Sequence, residues 1–439
     1  MEQFRLPKVP LPKLVLPQAV QEVLAEAEEK LAHRPKLLQL FRNCYPNTLA
    51  TTTKLMDDGT TFVITGDIPA SWLRDSVEQI IHYVPIANND LDLKRIISGL
   101  IKRHIQYIHI DPYANAFNES ANDWHWNATD ITEISPWVWE RKFEIDSLCF
   151  VVRLAYTYWQ ETGVTDFFDA EFKSALRIIM DLFKREQHHF EQSPYRFTRN
   201  NGIPGDSLRN SGLGMPVNYT GMIWSGFRPS DDACDFHYNI PGNMFAVVAL
   251  RQMQEFAEWI FRDTNLQAEL KELEIEVDSG IKLYGIYRHP QFGSIYAYET
   301  DGFGNYCLMD DAGTPGLISI PYLGYVTADD PIYQNTRRFA LSKENPFYYE
   351  GTAAKGIGSP HTPQNYIWHM ALSMQGITAQ SVEEKLELVA LLENTDADTG
   401  FMHEGFHADD PSVFTRSWFA WSNSLFSQLV YRMMKDGLL

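Results

Sequence analysis

Residues 90–108 have the sequence DLDLKRIISGLIKRHIQYI. Their apolar residues recur at the i, i+3, i+4, i+7 spacing that places one face of an α-helix in a protein core. The same spacing returns in stretches that begin at Ile145, Phe168 and Leu266, and a capping box, SVEE, opens another helix at Ser381. The sequence therefore predicts a mainly α-helical protein.

Long polar loops rich in aromatic residues separate these helices. They lie near residues 65–76, 111–144, 200–243, 301–325, 344–363 and 400–417. Loops of this length inside a compact domain usually carry function. No linker or change of composition divides the chain, so we expect a single domain over residues 1–439. In this domain helical hairpins close into an (α/α)6 barrel and gather their loops over a central cavity.

Few segments are predicted to be extended. A β-hairpin is expected around Asp301-Gly302, between residues 295–298 and Tyr306, and a short strand at residues 61–64. Residues 1–20 contain four prolines, at positions 7, 10, 12 and 17, and are expected to form an extended N-terminal arm on the surface.

The composition limits the classes of ligand. The formal charge of −20 over 439 residues disfavours a nucleic acid or an anionic membrane as partner. No segment approaches the run of about 18 apolar residues that a membrane-spanning helix needs. The 11 Trp and 21 Tyr residues fit a sugar ligand and an aromatic-filled core equally well.

The cysteines and the N-terminus indicate a compartment. Cys44, Cys149, Cys234 and Cys307 are widely scattered, which is typical of free thiols in a reducing compartment. The first residues lack the basic start and apolar run of a secretory signal. We therefore expect a cytoplasmic protein; nothing in the sequence indicates an oligomeric state.

Two distant segments each place an acid among aromatic and basic neighbours. They are residues 224–235, WSGFRPSDDACD, and residues 400–407, GFMHEGFH. Both are too rich in Gly, Pro or Ser to be the interior of a helix. A proton donor and a base from separate parts of a chain are what the hydrolysis of a glycosidic bond requires.

Each segment also matches a metal-binding pattern. Asp231-Asp232-x-x-Asp235 matches the motif with which prenyl-diphosphate enzymes hold Mg²⁺, but Arg228 is the one basic residue close by. His403-Glu404-x-x-His407 matches the zinc-peptidase pattern, which requires a helix that the neighbouring glycines disfavour. We therefore expect a loop that points Glu404 into a pocket, with a metal-dependent hydrolase as an alternative.

Three further segments carry polar side chains at loop-to-helix junctions. Arg74 and Asp75, in the sequence WLRDS, can hold two vicinal hydroxyl groups, or can form a structural ion pair at a helix N-terminus. Asp311 and His361 lie in segments that fit turns and helix caps, yet both residues are well placed to contact a sugar hydroxyl.

At these segments the sequence resembles glycoside hydrolase family 125, the exo-acting α-1,6-mannosidases. The resemblance covers nearly the whole chain. It rests on GDIPASWLRDS (66–76), WSGFRPSDD (224–232), MDDAG (309–313), GSPH (358–361) and MHE (402–404). The family implies an (α/α)6 barrel, hydrolysis with inversion at the anomeric carbon, and no metal or other cofactor.

The resemblance also implies roles for individual residues. The general acid falls on Asp231, with Asp232 as the alternative, and the general base falls on Glu404. Arg74 and Asp75 correspond to a segment that holds the terminal sugar in other (α/α)6 glycosidases such as glucoamylases. Further substrate contacts are expected at Trp224, Arg228, Asp311, His361 and His403, although Trp224 and Arg228 fit a structural role equally well.

The function expected from the resemblance is metal-independent hydrolysis. The enzyme would release terminal mannose, with inversion, from α-1,6-linked manno-oligosaccharides or N-glycan fragments. The neighbouring Asp232 carboxylate and partial burial would keep Asp231 protonated, and the carboxyl groups of Asp231 and Glu404 would lie about 6.5–9.5 Å apart.

Two alternatives to a glycosidase remain besides the metal-dependent hydrolase. A sugar epimerase or isomerase on the same barrel would rely on a pair of pocket histidines. A non-catalytic glycan-binding protein would need only the aromatic residues, and the paired acids argue against it.

Overall fold

The computed structural model describes residues 14–439. The α-helices in this part of the chain are α1 Gln18–Lys30, α2 Pro35–Cys44, α3 Asn47–Thr51, α4 Leu73–Ile80, α5 Leu91–Ile110, α6 Ile145–Thr162, α7 Ala170–Glu186, α8 His189–Gln192, α9 Arg209–Gly212, α10 Ile240–Glu255, α11 Thr264–Tyr284, α12 Ile320–Leu323, α13 Pro331–Ala340, α14 His369–Thr378, α15 Val382–Asn394 and α16 Ala420–Lys435. Periodicity in the sequence predicted α5, α6, α7 and α11, and the side chain of Ser381 caps α15 as expected.

Six of these helices form a closed inner ring. Helices α4, α6, α10, α12, α14 and α16 contact one another in that order, and α16 contacts α4 to close the ring. Helices α2, α5, α11 and α15 pack outside it, against α16, α6, α10 and α14. The protein is therefore a mainly helical toroid, and the predicted (α/α)6 barrel is confirmed.

Burial separates the two layers. All eight residues of α4 are buried, as expected for a helix that has neighbours on every side. The outer helix α7 instead buries one stripe, which includes Phe172, Leu176, Ile179 and Phe183, and presents charged residues to solvent. The i, i+3, i+4, i+7 pattern is therefore clearest in outer helices.

The strands in the described part of the chain are short and form six small sheets. They are β1 Thr53–Leu55, β2 Thr61–Val63, β3 Ser71–Trp72, β4 Ala116–Phe117, β5 Val138–Glu140, β6 Tyr238–Asn239, β7 Ile286–His289, β8 Gly293–Tyr296, β9 Glu299–Thr300, β10 Tyr306–Cys307, β11 Tyr348–Glu350, β12 Lys355–Ile357, β13 Tyr366–Trp368 and β14 Gly405–His407. The hairpin around Asp301-Gly302 exists as β9 and β10, but residues 295–296 pair with β7 instead.

The segments that enter the inner helices meet at one end of the ring. The amide of Leu73 donates to the carbonyl of Asn115 at 3.0 Å, and the amide of Ala420 donates to Thr65 at 3.0 Å. The amide of Ile240 likewise donates to Tyr298 at 2.9 Å. The N-termini of α4, α6 and α16 also meet at Arg74, which contacts Glu144, Asp146 and Trp421, and their partial positive charges favour negative groups there.

The predicted N-terminal arm falls mainly on residues 1–13, which lie outside the described residues. Residues 18–20 already belong to α1, so an extended arm would end at Pro17 at the latest. None of the described helices is long and apolar enough to cross a membrane.

Candidate active site

Five acidic and basic side chains meet at the end of the ring where the inner helices begin. Arg74 and Asp75 lie in the first turn of α4, and Glu144 directly precedes α6. Asp231 lies in the loop before β6, and Glu404 directly precedes β14. The chain thus brings the predicted acid, base and sugar-binding residues to the same end of the toroid.

Arg74 is the centre of a cluster of buried carboxyl groups. Its Nη1 lies 2.6 Å from Oε2 of Glu144 and 3.3 Å from Oδ2 of Asp146. Its Nη2 lies 3.3 Å from Oδ1 of Asp231, and its Nε lies 3.4 Å from Oδ1 of Asp75. The guanidinium that was expected to hold two sugar hydroxyls is therefore surrounded by carboxyl groups. Burial raises the pKa values of Asp75 and Asp146 to about 6 in each case.

A tight turn presents Asp231. Its φ of +68° lies in the left-handed region, which aspartate tolerates better than most side chains. The amide of Asp231 donates to the carbonyl of Arg228 at 2.9 Å, and the ammonium of Lys142 donates to the carbonyl of Asp231 at 2.6 Å. The carboxyl faces Asn115 Nδ2 at 3.5 Å and remains 25% exposed. It is the most accessible carboxyl in contact with Arg74.

The carboxyl group that neighbours Asp231 is Glu144. Burial, aided by the charge of Asp231 and opposed by Arg74, raises the pKa of Glu144 well above its usual range. Burial would also raise the pKa of Asp231, but the hydrogen bond to Glu144 and the charges of Arg74 and Lys142 hold it below the usual range. Burial acts on Asp231 in the expected direction, but the carboxyl group that faces it is Glu144, where Asp232 was expected.

Asp232 is paired with His361. Nδ1 of His361 lies 3.3 Å from Oδ1 of Asp232. Burial lowers the pKa of His361, but the hydrogen bond and charge of Asp232, followed by the charges of Glu404 and Asp231, raise it to about 9. The imidazolium is thus within the electrostatic reach of both the predicted acid and the predicted base.

Arg416 holds Glu404. Its Nη1 lies 3.5 Å from Oε1 of Glu404, and its Nη2 donates to Oδ1 of Asp67 at 2.5 Å. Residues 405–407 form β14, which pairs with β13. The HEGFH segment is therefore not helical, and the ring of His403 stacks on Phe414 with a centroid distance of 3.7 Å. Within residues 14–439, no three His, Cys, Asp or Glu side chains are grouped to hold a metal ion.

Arg228 and Asp311 hold the loop that carries Asp231. Arg228 binds Glu299 in a fork, with distances of 2.6 Å from Nε to Oε1 and 3.1 Å from Nη2 to Oε2. Ser230 donates to Oδ2 of Asp311 at 2.6 Å. Both anchors are buried, and their contacts fix the residues on the N-terminal side of Asp231.

Trp224 and His403, two of the predicted substrate contacts, are deeply buried. Trp224 is 0% exposed and lies between the rings of His189 and His237, with centroid distances of 3.5 and 4.7 Å. His403 is also fully buried, and its Nε2 lies 3.0 Å from the hydroxyl of Thr399. Both side chains pack against the segments that carry the proposed acid and base, which favours the structural role for Trp224.

A cavity of about 380 Å³ lies beside Asp232 and His361. Its walls combine charged and apolar side chains with backbone, and consist of Ile203, Pro204, Gly205, Asp206, Ser207, Arg209, Met215, Arg228, Asp232, Ala233, Cys234, Asp235, His237, Pro360 and His361. Its volume lies at the lower end of the range for small-molecule sites.

Sequence reasoning missed several groups in the site. Glu144, Asp146, Lys142 and Asn115 lie in or just after a loop that was identified only by its length. Their signal is the cluster RKFEID, residues 141–146, in which two basic residues and then two acids stand at the start of an apolar helix. Arg416 gave no signal, because its partners Glu404 and Asp67 lie in two different motifs.

The chain is similar to known proteins over nearly its whole length. The family model for metal-independent α-mannosidases, glycoside hydrolase family 125, matches residues 34–431. A Schizosaccharomyces pombe protein, meiotically up-regulated gene 157 protein, is 37% identical over 443 residues, which cover 95% of this chain and 86% of its own.

Two solved structures are similar. A Streptococcus pneumoniae metal-independent α-mannosidase, in a non-productive complex with α-1,6-mannobiose, is 46% identical with a TM-score of 0.93 over 95% of this chain and 98% of its own. A bacterial glucoamylase complexed with acarbose is 11% identical with a TM-score of 0.56 over 91% of this chain and 55% of its own. The second likeness concerns the fold alone.

Proposed function

The chain belongs to glycoside hydrolase family 125, the metal-independent α-mannosidases, and we propose that it releases terminal mannose from α-1,6-linked mannosides with inversion at the anomeric carbon. The observation that carries the proposal is the match of residues 34–431 to this family, together with the ion pairs that hold Asp231 at 3.3 Å from Arg74 and Glu404 at 3.5 Å from Arg416. The α-1,6 linkage is supported by the mannobiose complex of the pneumococcal relative. Membership of the family disfavours an epimerase, a metal-dependent hydrolase and a binding protein.

Asp231 is proposed as the general acid. Its carboxyl is partly exposed, whereas Glu144 and Asp146 beside it are enclosed. A donor must reach the glycosidic oxygen within about 3 Å. Among the carboxyl groups in contact with Arg74, the exposure of Asp231 suits it best to this contact.

Glu404 is proposed as the general base. It would accept a proton from a water molecule whose oxygen then attacks the anomeric carbon, while Asp231 protonates the leaving oxygen. Arg416 and Asp67 would fix the direction of the Glu404 carboxylate. Inversion requires room for this water, so the two carboxyl groups should be about 6.5–9.5 Å apart.

The sugar residues are proposed to bind on both sides of Asp231. Asp75, Arg74 and His361 would surround the terminal mannose. The leaving sugar would occupy the cavity beside Asp232, because the group protonated by the acid departs on the acid's side. The polar side chains of that cavity, such as Arg209 and Asp235, can bond to hydroxyl groups.

The natural substrates are proposed to be small manno-oligosaccharides or N-glycan fragments that reach a reducing, cytoplasmic compartment. All four cysteines are free thiols, and Cys44, Cys149 and Cys234 are buried. Free thiols in a chain of this size suit such a compartment.

The first test is to incubate the protein with α-1,6-mannobiose in excess EDTA and to follow the anomeric protons by NMR. Early appearance of β-mannose is the expected result. Early appearance of α-mannose would exclude inversion but would still show mannosidase activity. No release of mannose under these conditions would refute the proposed activity.

A further inference from the structure

Two carboxyl groups share the same hydrogen-bond donors at the site. Nδ2 of Asn115 lies 3.3 Å from Oε1 of Glu144 and 3.5 Å from Oδ1 of Asp231. Arg74 also contacts both carboxyl groups: its Nη1 lies 2.6 Å from Glu144, and its Nη2 lies 3.3 Å from Asp231. Glu144 and Asp231 therefore face each other across one amide and one guanidinium.

The charges in this cluster do not balance if every group is ionised. One guanidinium faces the carboxyl groups of Asp75, Glu144, Asp146 and Asp231. Two carboxylates that share a site cannot both ionise easily, and burial adds to this cost. The side chain of Glu144 has no exposed surface, whereas that of Asp231 is 25% exposed. A negative charge therefore costs more free energy on Glu144 than on Asp231.

We propose that Glu144 and Asp231 hold one proton between them, and that Glu144 passes this proton to Asp231 for donation to the leaving glycosidic oxygen. This inference rests on the function proposed above. Glu144 is a positioning residue in this scheme, because it acts on substrate only through Asp231.

The protons balance over one turnover. In the resting pair Glu144 carries the proton, which moves to Asp231 as the glycosidic oxygen approaches and then to that oxygen as its bond to the anomeric carbon breaks. The attacking water loses one proton to Glu404, which releases it to solvent. The Glu144–Asp231 pair regains one proton from solvent through the exposed edge of Asp231. The net reaction consumes one water molecule.

Other charged groups face this pair from several elements. They are Arg74 and Asp75 on α4, Glu140 and Lys142 before α6, Asp146 on α6, and His361 before β13. Burial raises the pKa of Glu144 despite the charge of Arg74, which supports a proton on this group at rest.

The test is the variant Glu144→Gln, which keeps the shape of the side chain and removes its proton. Asp231 would then face a neutral amide beside Arg74, so its last proton would leave at lower pH. We expect kcat/KM for α-1,6-mannobiose at pH 7 to fall by roughly 10²-fold, with the upper limb of its pH profile moved to lower pH. Hydrolysis of 2,4-dinitrophenyl α-mannoside, whose leaving group needs no proton, should change by less than about threefold.

Asp146→Asn is the matched control, because Asp146 contacts Arg74 but not the Asn115 amide. Its loss of rate should be the same for both substrates. If Glu144→Gln loses both activities equally, or neither, the shared proton is refuted. Absence of mannobiose hydrolysis in the wild-type protein would instead refute the proposed function.

If Glu144→Gln does not fold, the pH dependence of kcat/KM of the wild-type protein tests the shared proton. An isolated carboxyl group loses its proton near pH 4. If the pair shares a proton, kcat/KM for mannobiose should fall only above pH 7. The aryl mannoside should not show this fall. An upper limb near the ordinary carboxyl value would overturn the proposal.

Discussion

Nη1 of Arg416 lies 3.5 Å from Oε1 of Glu404, and the other edge of the same guanidinium binds Asp67. Asp67 can approach because Gly66 precedes it: a Cβ on residue 66 would stand 2.5 Å from the carbonyl oxygen of Trp418. The GDIP segment, which lies more than 300 residues from Glu404 in the sequence, thus fixes the cation that holds the proposed base.

Glu404→Gln should remove the base and keep its hydrogen bond from Arg416. We expect kcat for α-1,6-mannobiose to fall by about 10³-fold or more, while the disaccharide still binds with nearly unchanged Kd. Kinetics and calorimetric titration measure the two effects. Glu350→Gln, at an exposed pair with Lys343, is the control and should retain full activity. Near-normal kcat in Glu404→Gln would place the base elsewhere.

Asp231→Asn and Asp232→Asn should separate the two candidate acids. Asparagine tolerates the left-handed backbone of residue 231, so the first variant should keep its fold. We expect it to lose about 10²–10⁴-fold in kcat on mannobiose and much less on 2,4-dinitrophenyl α-mannoside. Asp232→Asn removes the partner of His361 and should affect both substrates alike. The opposite pattern would assign the acid to Asp232.

The Asp232–His361 pair should make stability depend on pH. The pKa of His361 is raised from 6.5 to about 9, so the folded protein binds this proton more tightly than the unfolded chain. Its stabilising effect is complete below pH 6.5 and is lost as the pH rises through about 9. Urea unfolding measures the free energy of unfolding across this pH range, and this free energy should decline less in His361→Asn than in the wild-type protein. His33 is exposed, so the free energy of unfolding of His33→Asn should depend on pH like that of the wild-type protein. The same pH dependence in His361→Asn would contradict the assignment.

Trp224→Phe should lower stability and leave substrate binding unchanged. The indole is enclosed between two imidazole rings, so the smaller ring leaves a void that we expect to cost about 2 kcal/mol in the free energy of unfolding. KM for mannobiose should stay within about twofold of the wild-type value. Trp259→Phe, at a side chain that is 65% exposed, serves as the control for unfolding. A raised KM with unaltered stability would instead make Trp224 a ligand contact.

The sequence predicted those features of the site that depend on neighbours along the chain. Asp231 and Glu404 stood out because each is an acid in a loop rich in Gly, Pro or aromatic residues. The same reasoning left the role of Trp224 open, since adjacency in sequence does not determine which way a side chain points. Glu144 was missed because an acid that precedes an apolar helix is also an ordinary helix-terminal residue.

Local pattern by itself determined the helical class of this protein, since the period of apolar residues is set by the helix turn and by burial on one side. The motifs determined its family. Only the tertiary structure decided that Glu144, and not Asp232, faces Asp231, and that Arg416 joins Asp67 to Glu404. Such pairings arise when a closed ring brings the ends of distant helices to one place, and the strength of buried charge interactions depends on those distances.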